Sequence, residues 1–209
     1  SADDGNGGGV YVRGIGGSFN MSGGTINGNT AKSSGGGVFV QGANSSFTMG
    51  GSAVISGNTA ESKGGGVYME SANGAFTMYG GTISGNKATG LNGNGGGVYV
   101  ASIDKESSKF TMYSGTISGN TASDYGGGVY VYSTTELGGT FTMNGGEITG
   151  NNSTYGGGGV YVGKKANMTV SGGVRIEDNW KNGTLNDEGS AYVQGTNGSA
   201  NNLYLYSVA

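Results

Sequence analysis

Proline, cysteine and histidine are all absent from this chain of 209 residues, and charge is scarce, with 10 basic and 13 acidic side chains. Without cysteine there is no disulfide framework, and without cysteine and histidine the usual zinc ligand sets cannot form. Collagen, the familiar glycine-rich fold, is excluded because it needs glycine at every third position together with proline. A net charge of −3 provides no basic patch for nucleic acid and no polybasic membrane anchor. No run of 18 apolar residues occurs, so no membrane-spanning helix is expected. The chain opens at Ser1-Ala2-Asp3-Asp4 without an initiator methionine, which suggests a processed or excised product.

What is abundant is glycine, at 50 residues, and it is ordered by a repeat. The word Gly126-Gly127-Gly128-Val129-Tyr130-Val131 returns in close variants along the whole chain. Its first apolar position falls at Val10, Val38, Val67, Val98, Val129 and Val160, with Ala191 in a decayed seventh copy, at steps of 28, 29, 31, 31, 31 and 31 residues. A fixed period in this range marks a solenoid or array. No linker or composition shift interrupts it, so the sequence reads as one domain over residues 1–209, with a degenerate last coil over about 180–209.

Each period holds three short apolar words. The first is Val-Tyr-Val. The second is Phe-x-Met, from Phe19 and Met21 to Phe141 and Met143, relaxing to Met168 and Val170 and then to Leu203 and Leu205. The third is an Ile followed three residues later by an Asn, giving the series Asn29, Asn58, Asn86, Asn120, Asn151 and Asn179. Apolar and polar residues alternate over three positions, as in short strands, and no helical spacing is sustained. The expectation is therefore an all-β parallel β-helix of about seven coils of 28–31 residues, with three short strands per coil. Stacked in register at about 4.8 Å, seven coils would form a rod of about 34 Å. A single coil has too few apolar side chains to stand alone, so adjacent coils must complete each other's core. The Asn series is read as a structural turn ladder, because Asn tolerates the left-handed backbone region and its amide can bond to its equivalents along the rod.

Ile-x-x-Asn turns alternating with Gly-Gly-Gly-Val-Tyr over essentially the entire chain resemble the repeats of bacterial surface proteins with a right-handed parallel β-helix of the pectin-lyase-like type. They are also similar to the repeats of polymorphic outer-membrane-protein passengers, autotransporter-type surface proteins. The resemblance implies a right-handed coil and an extracellular or cell-surface location in bacteria.

If both valines of Val-Tyr-Val point inward, the residue between them points out. Tyr11, Phe39, Tyr68, Tyr99, Tyr130, Tyr161 and Tyr192 would then form a stripe on one face, either a self-stacking ladder or a surface for sugar rings or lateral packing. Catalysis is not expected. The acidic residues are scattered, and the closest pair on successive coils, Glu147 and Glu177, flanks Ile148 and Ile176 on opposite sides. No metal site or cofactor is expected either. The functional expectation is a non-enzymatic extracellular solenoid, either a fibre subunit associating end to end through open coil edges or a rod segment of a surface adhesin. The alternative is a passenger that binds a host glycan or protein through the tyrosine stripe.

Overall fold

A computed structural model describes residues 5–102, 107–134, 138–182, 184–185, 192–193, 199–200 and 202–205. The described residues form strands and turns without helix, coiled into a parallel β-solenoid. Each turn contributes one strand to each of four sheets, so the expected three strands per coil becomes four. The additional strand is only two residues long: Thr30–Ala31, Thr59–Ala60, Lys87–Ala88, Thr121–Ala122 and Asn152–Ser153. It follows the Asn directly. Two residues are too few to display alternation, although Ala31, Ala60, Ala88 and Ala122 are all buried.

The first sheet joins Val10–Arg13, Val38–Gln41, Val67–Glu70, Val98–Ser102, Val129–Ser133 and Val160–Val162, parallel and in register. The second stacks the Phe-x-Met strands and the third the Ile strands, also in register. Every strand in the middle of the rod thus has its own equivalent on either side. The described residues make about six turns, against the expected seven or so, which at about 4.8 Å per turn is about 29 Å of rod.

The difference arises at the end of the chain. Of the expected seventh Val-Tyr-Val copy, Gly189 to Val193, residues 189–191 lie outside the described residues, and Tyr192–Val193 pairs antiparallel with Thr184–Leu185 and not with the first sheet. Leu203–Leu205, assigned from sequence to the second sheet, takes that place instead, with Leu203 beside Val160 and Leu205 beside Val162. Both segments hold an apolar-Tyr-apolar triplet, Ala191-Tyr192-Val193 and Leu203-Tyr204-Leu205, and the one with two leucines brings the larger apolar residues to the positions beside Val160 and Val162.

One continuous apolar core fills the coil. It is built from both valines of the first strand (Met69 replacing one), Phe and Met of the second and Ile of the third. Phe19, Phe47, Phe76, Phe110 and Phe141 stack face to face at 4.5–5.1 Å between centroids. The turn after the Ile strand needs a left-handed residue. Gly119 occupies that position at φ 62°, as do Gly28, Gly57, Gly85 and Gly150 in the other turns and Asp178 in the sixth.

Candidate functional site

The aromatic stripe does point away from the main core, but it is not an open surface. Phe39, Tyr68, Tyr99, Tyr130 and Tyr161 are each buried, at 1–9 % exposure, in a second apolar cluster outside the first sheet. Three features cover them. The rings cover each other, stacking at 4.8–5.0 Å from Tyr11 to Tyr68 and again from Tyr99 to Tyr161. The glycine run before each strand folds back over the ring: Gly95 at φ 67° lies so close that a Cβ there would come within 2.8 Å of the Tyr99 Cβ. Finally, two flanking columns close the sides. One runs Ser34, Lys63, Asn94, Tyr125 and the other Gln41, Glu70, Ala101, Tyr132, and Ala101, Tyr125 and Tyr132 pack against the cluster. The ring faces expected to be available to a ligand are therefore occupied, and the packing role is the one the geometry supports. Tyr192 stands in the antiparallel pair and does not belong to the stripe; Tyr204 is the residue in register with Tyr161.

The stack breaks once. Tyr68 and Tyr99 meet edge to face, at 82°, and the Lys63 ammonium lies 5.7 Å from the Tyr99 ring centroid. Burial pushes the hydroxyls of Tyr68, Tyr99 and Tyr130 well above the ordinary tyrosine range, so all three stay protonated. The second flanking column supplies hydroxyl partners along the stripe: Tyr11 donates to Gln41 Oε1, and Tyr68 pairs with Glu70. Burial also raises Glu70, with the Tyr68 hydrogen bond and Lys63 acting in the opposite direction.

The asparagine series forms an unbroken buried ladder. Each side-chain carbonyl accepts from both the backbone N–H and the Nδ2 of the Asn one turn earlier, at 2.9–3.0 Å from Asn29 to Asn179. From Asn58 onward, each Nδ2 also donates to the carbonyl of the Ile one turn back, at 2.8–3.0 Å. Asn58, Asn86, Asn120, Asn151 and Asn179 are fully buried. The left-handed conformation expected of these residues is carried by the preceding glycine or Asp178 instead, which leaves the amides free to bond along the rod. The ladder extends beyond the sequence assignment to Asn202, which accepts from Asn179. Asn202 lacks the Ile three residues earlier that marks the others, so the Ile-x-x-Asn spacing does not point to it.

The nearest approach to a carboxylate pair is bridged by a cation. Arg175 sits beside Glu147 in register, reaching Glu147 at 3.6 Å and also contacting Glu177. Among the described residues no group of three or more acidic, histidine or cysteine side chains is placed to hold a metal. Three tyrosines outside the stripe, Tyr79, Tyr113 and Tyr155, are exposed. Tyr79 and Tyr113 follow the second strand in adjacent turns and stack at 5.1 Å and 6°; their signal was the extension of Phe-x-Met to Phe-x-Met-Tyr in those two turns.

No curated protein and no solved structure matches the chain. Two stretches, residues 52–70 and 114–132, match the Chlamydia polymorphic membrane protein repeat, each running from an Ile-Ser-Gly-Asn turn through Gly-Gly-Gly-Val-Tyr, and over these turns the chain is similar to a repeat family of bacterial surface proteins.

Proposed function

We propose that this chain is a non-enzymatic structural rod at the bacterial surface, a segment of an adhesin or a subunit that associates head to tail. One observation carries the reading. Four sheets, an asparagine ladder and a phenylalanine stack run through the same turns without a break in register. Backbone hydrogen bonds aligned along one axis share an axial load over every strand at once, and side chains repeated in columns resist slippage because a shift would misalign all of them together. The similarity to surface-protein repeats supports the location.

End-to-end association is part of the proposal. In the first turn Val10, Val12, Phe19 and Ile26 are only partly buried, while Val38, Val40, Phe47 and Ile55 in the second have no exposure. A further coil of matching register, from the same polypeptide or from a second copy, would cover them. Electron microscopy and sedimentation over a concentration series test this. Rods longer than about 29 Å, growing with concentration, are expected; monomers at every concentration would refute self-association, and hydrolysis or lyase activity on a polysaccharide panel would refute the non-enzymatic reading.

A further inference from the structure

Six equivalent positions follow the second strand at one corner of the coil: Ser22, Gly50, Tyr79, Tyr113, Asn144 and Ser171. From the second turn on, each donates its backbone N–H to the Met residue one turn back, at 2.8–2.9 Å. The column therefore changes side chain without changing backbone. Tyr79 and Tyr113 lie parallel and use one ring face on each other, yet Tyr79 remains 60 % exposed. On the other side of Tyr79 the column steps down to Gly50, and a cleft of about 200 Å³ opens there, lined by Tyr79, Gly50, Met49 and the polar Asn20, Ser22 and Thr48.

We propose that this cleft is a binding subsite for a single uncharged sugar ring, stacked on the face of Tyr79 that Tyr113 does not cover. The lining fits this class: its accessible surface is mostly apolar, with Tyr79, Met21 and Met49 suited to the face of C–H groups of a pyranose ring, and the Asn20, Ser22 and Thr48 side chains belong to the same lining and offer polar partners to the hydroxyls around the ring's edge. No charged side chain lines the cleft, and the chain's net charge is −3, so nothing there would repay the desolvation of a phosphate or carboxylate. The volume lies below the roughly 300–1,000 Å³ that hold drug-sized molecules, which suits one ring and not an extended ligand. Tyr113 backs the platform and holds the Tyr79 ring in place. The subsite is independent of the rod proposal and of end-to-end association.

The test is a printed array of neutral oligosaccharides ending in glucose, galactose, mannose or N-acetylglucosamine, followed by NMR titration of the methyl glycoside of the best binder. Three variants of the whole chain accompany the wild type. Tyr79→Ala removes the platform. Tyr79→Phe keeps it. Gly50→Tyr fills the cleft by extending the stack, and the position accepts it: a Cβ at Gly50 would lie 3.6 Å from the Tyr79 Cβ, an ordinary contact, and tyrosine already occupies the same position in the next two turns. All three should keep the wild-type circular dichroism spectrum. Wild type and Tyr79→Phe are expected to bind within about threefold of each other, and Tyr79→Ala and Gly50→Tyr to lose about tenfold or more, the scale of one aromatic stacking contact. No binding of any neutral glycan by the wild type, retention by Tyr79→Ala or by folded Gly50→Tyr, or equal loss in Tyr79→Phe and Tyr79→Ala would overturn the assignment.

Discussion

Asn120→Ala should be among the most destabilising single substitutions in the rod. Asn120 has no exposure, and its Oδ1 accepts from the backbone N–H and the Nδ2 of Asn86, both at 2.9 Å, while its Nδ2 donates to Asn151 Oδ1 and to the Ile83 carbonyl. Alanine leaves two Asn86 donors facing a dry void. A buried unsatisfied polar group costs about 1–3 kcal/mol, so the pair gives about 2–6 kcal/mol. Asn29→Ala is the internal comparison. Asn29 stands in the half-buried first turn and donates to Asn58, so its truncation removes a donor without orphaning one, and the Asn58 carbonyl keeps the Asn29 backbone N–H; a cost of about 1 kcal/mol is expected. Asn120→Asp adds a directional check. The carboxyl can still accept from Asn86, but its second oxygen would face the Ile83 carbonyl and Asn151 Oδ1, two acceptors, so the folded state favours the protonated acid and raises its pKa. Stability lost to this variant should return as the pH falls through that raised value toward the unfolded carboxylate range. Guanidinium denaturation followed by circular dichroism at several pH values measures all three. A loss at Asn120→Ala no greater than at Asn29→Ala, or an Asn120→Asp variant that weakens further on acidification, would refute the ladder as a stabilising element.

Three further substitutions separate packing from backbone strain and burial from charge. Gly97→Ala should cost about 2–3 kcal/mol, because its Cβ would lie 2.6 Å from the Gly128 carbonyl oxygen and 3.0 Å from Asn120 Nδ2 in a filled interior, whereas Gly24→Ala, at φ 83° with nothing within 4 Å, should cost only the left-handed penalty of about 1–2 kcal/mol; denaturation midpoints in the reverse order would contradict the packing argument. Glu70→Gln should flatten the pH dependence of melting, since Gln41 already shows that an amide at this position accepts a tyrosine hydroxyl. Burial holds the Glu70 pKa above its ordinary value in the folded state, so its contribution is complete at acidic pH and lost as the pH rises through that raised value. The two melting curves should run together at low pH and separate above it with the wild type lower, and parallel curves across the range would refute the assignment.

The period, the register and the inward residues were legible in the sequence because stacking places each residue on its own equivalent, so the repeat in letters is also the repeat in space. The features that escaped were those that alternation and spacing do not encode. The Thr-Ala strand is too short to alternate, although Thr-Ala directly follows Asn29, Asn58 and Asn120. Spacing favoured Ala191-Tyr192-Val193 as the seventh copy over Leu203-Tyr204-Leu205, which alternates in the same way; the sheet takes the second, whose leucines are the larger apolar residues to set beside Val160 and Val162. The outward direction of Tyr99 was legible, but not its burial, which depends on the path that Gly95 gives the preceding chain. For the asparagines, the position and the amide ladder were legible, and only the left-handed turn was misplaced: the preceding glycine, or Asp178, supplies it.

The inner and outer columns answer to different constraints. An inward side chain such as Phe110 has Phe76 above it and Phe141 below, so replacing it disturbs three turns, and the column stays uniform. An outward side chain that is exposed, unlike the covered Tyr stripe, is bounded on one side by solvent and can change abruptly from one turn to the next over an unchanged backbone. Such a step creates relief on an otherwise ribbed surface. The step from Gly50 to Tyr79 opens one cleft, and the step from Glu70 to Ala101 accompanies another, of about 210 Å³, beside Gln41 and Ser71. In a solenoid of this kind the constant columns make the rod, and recognition is to be sought where an outward column changes residue size between adjacent turns.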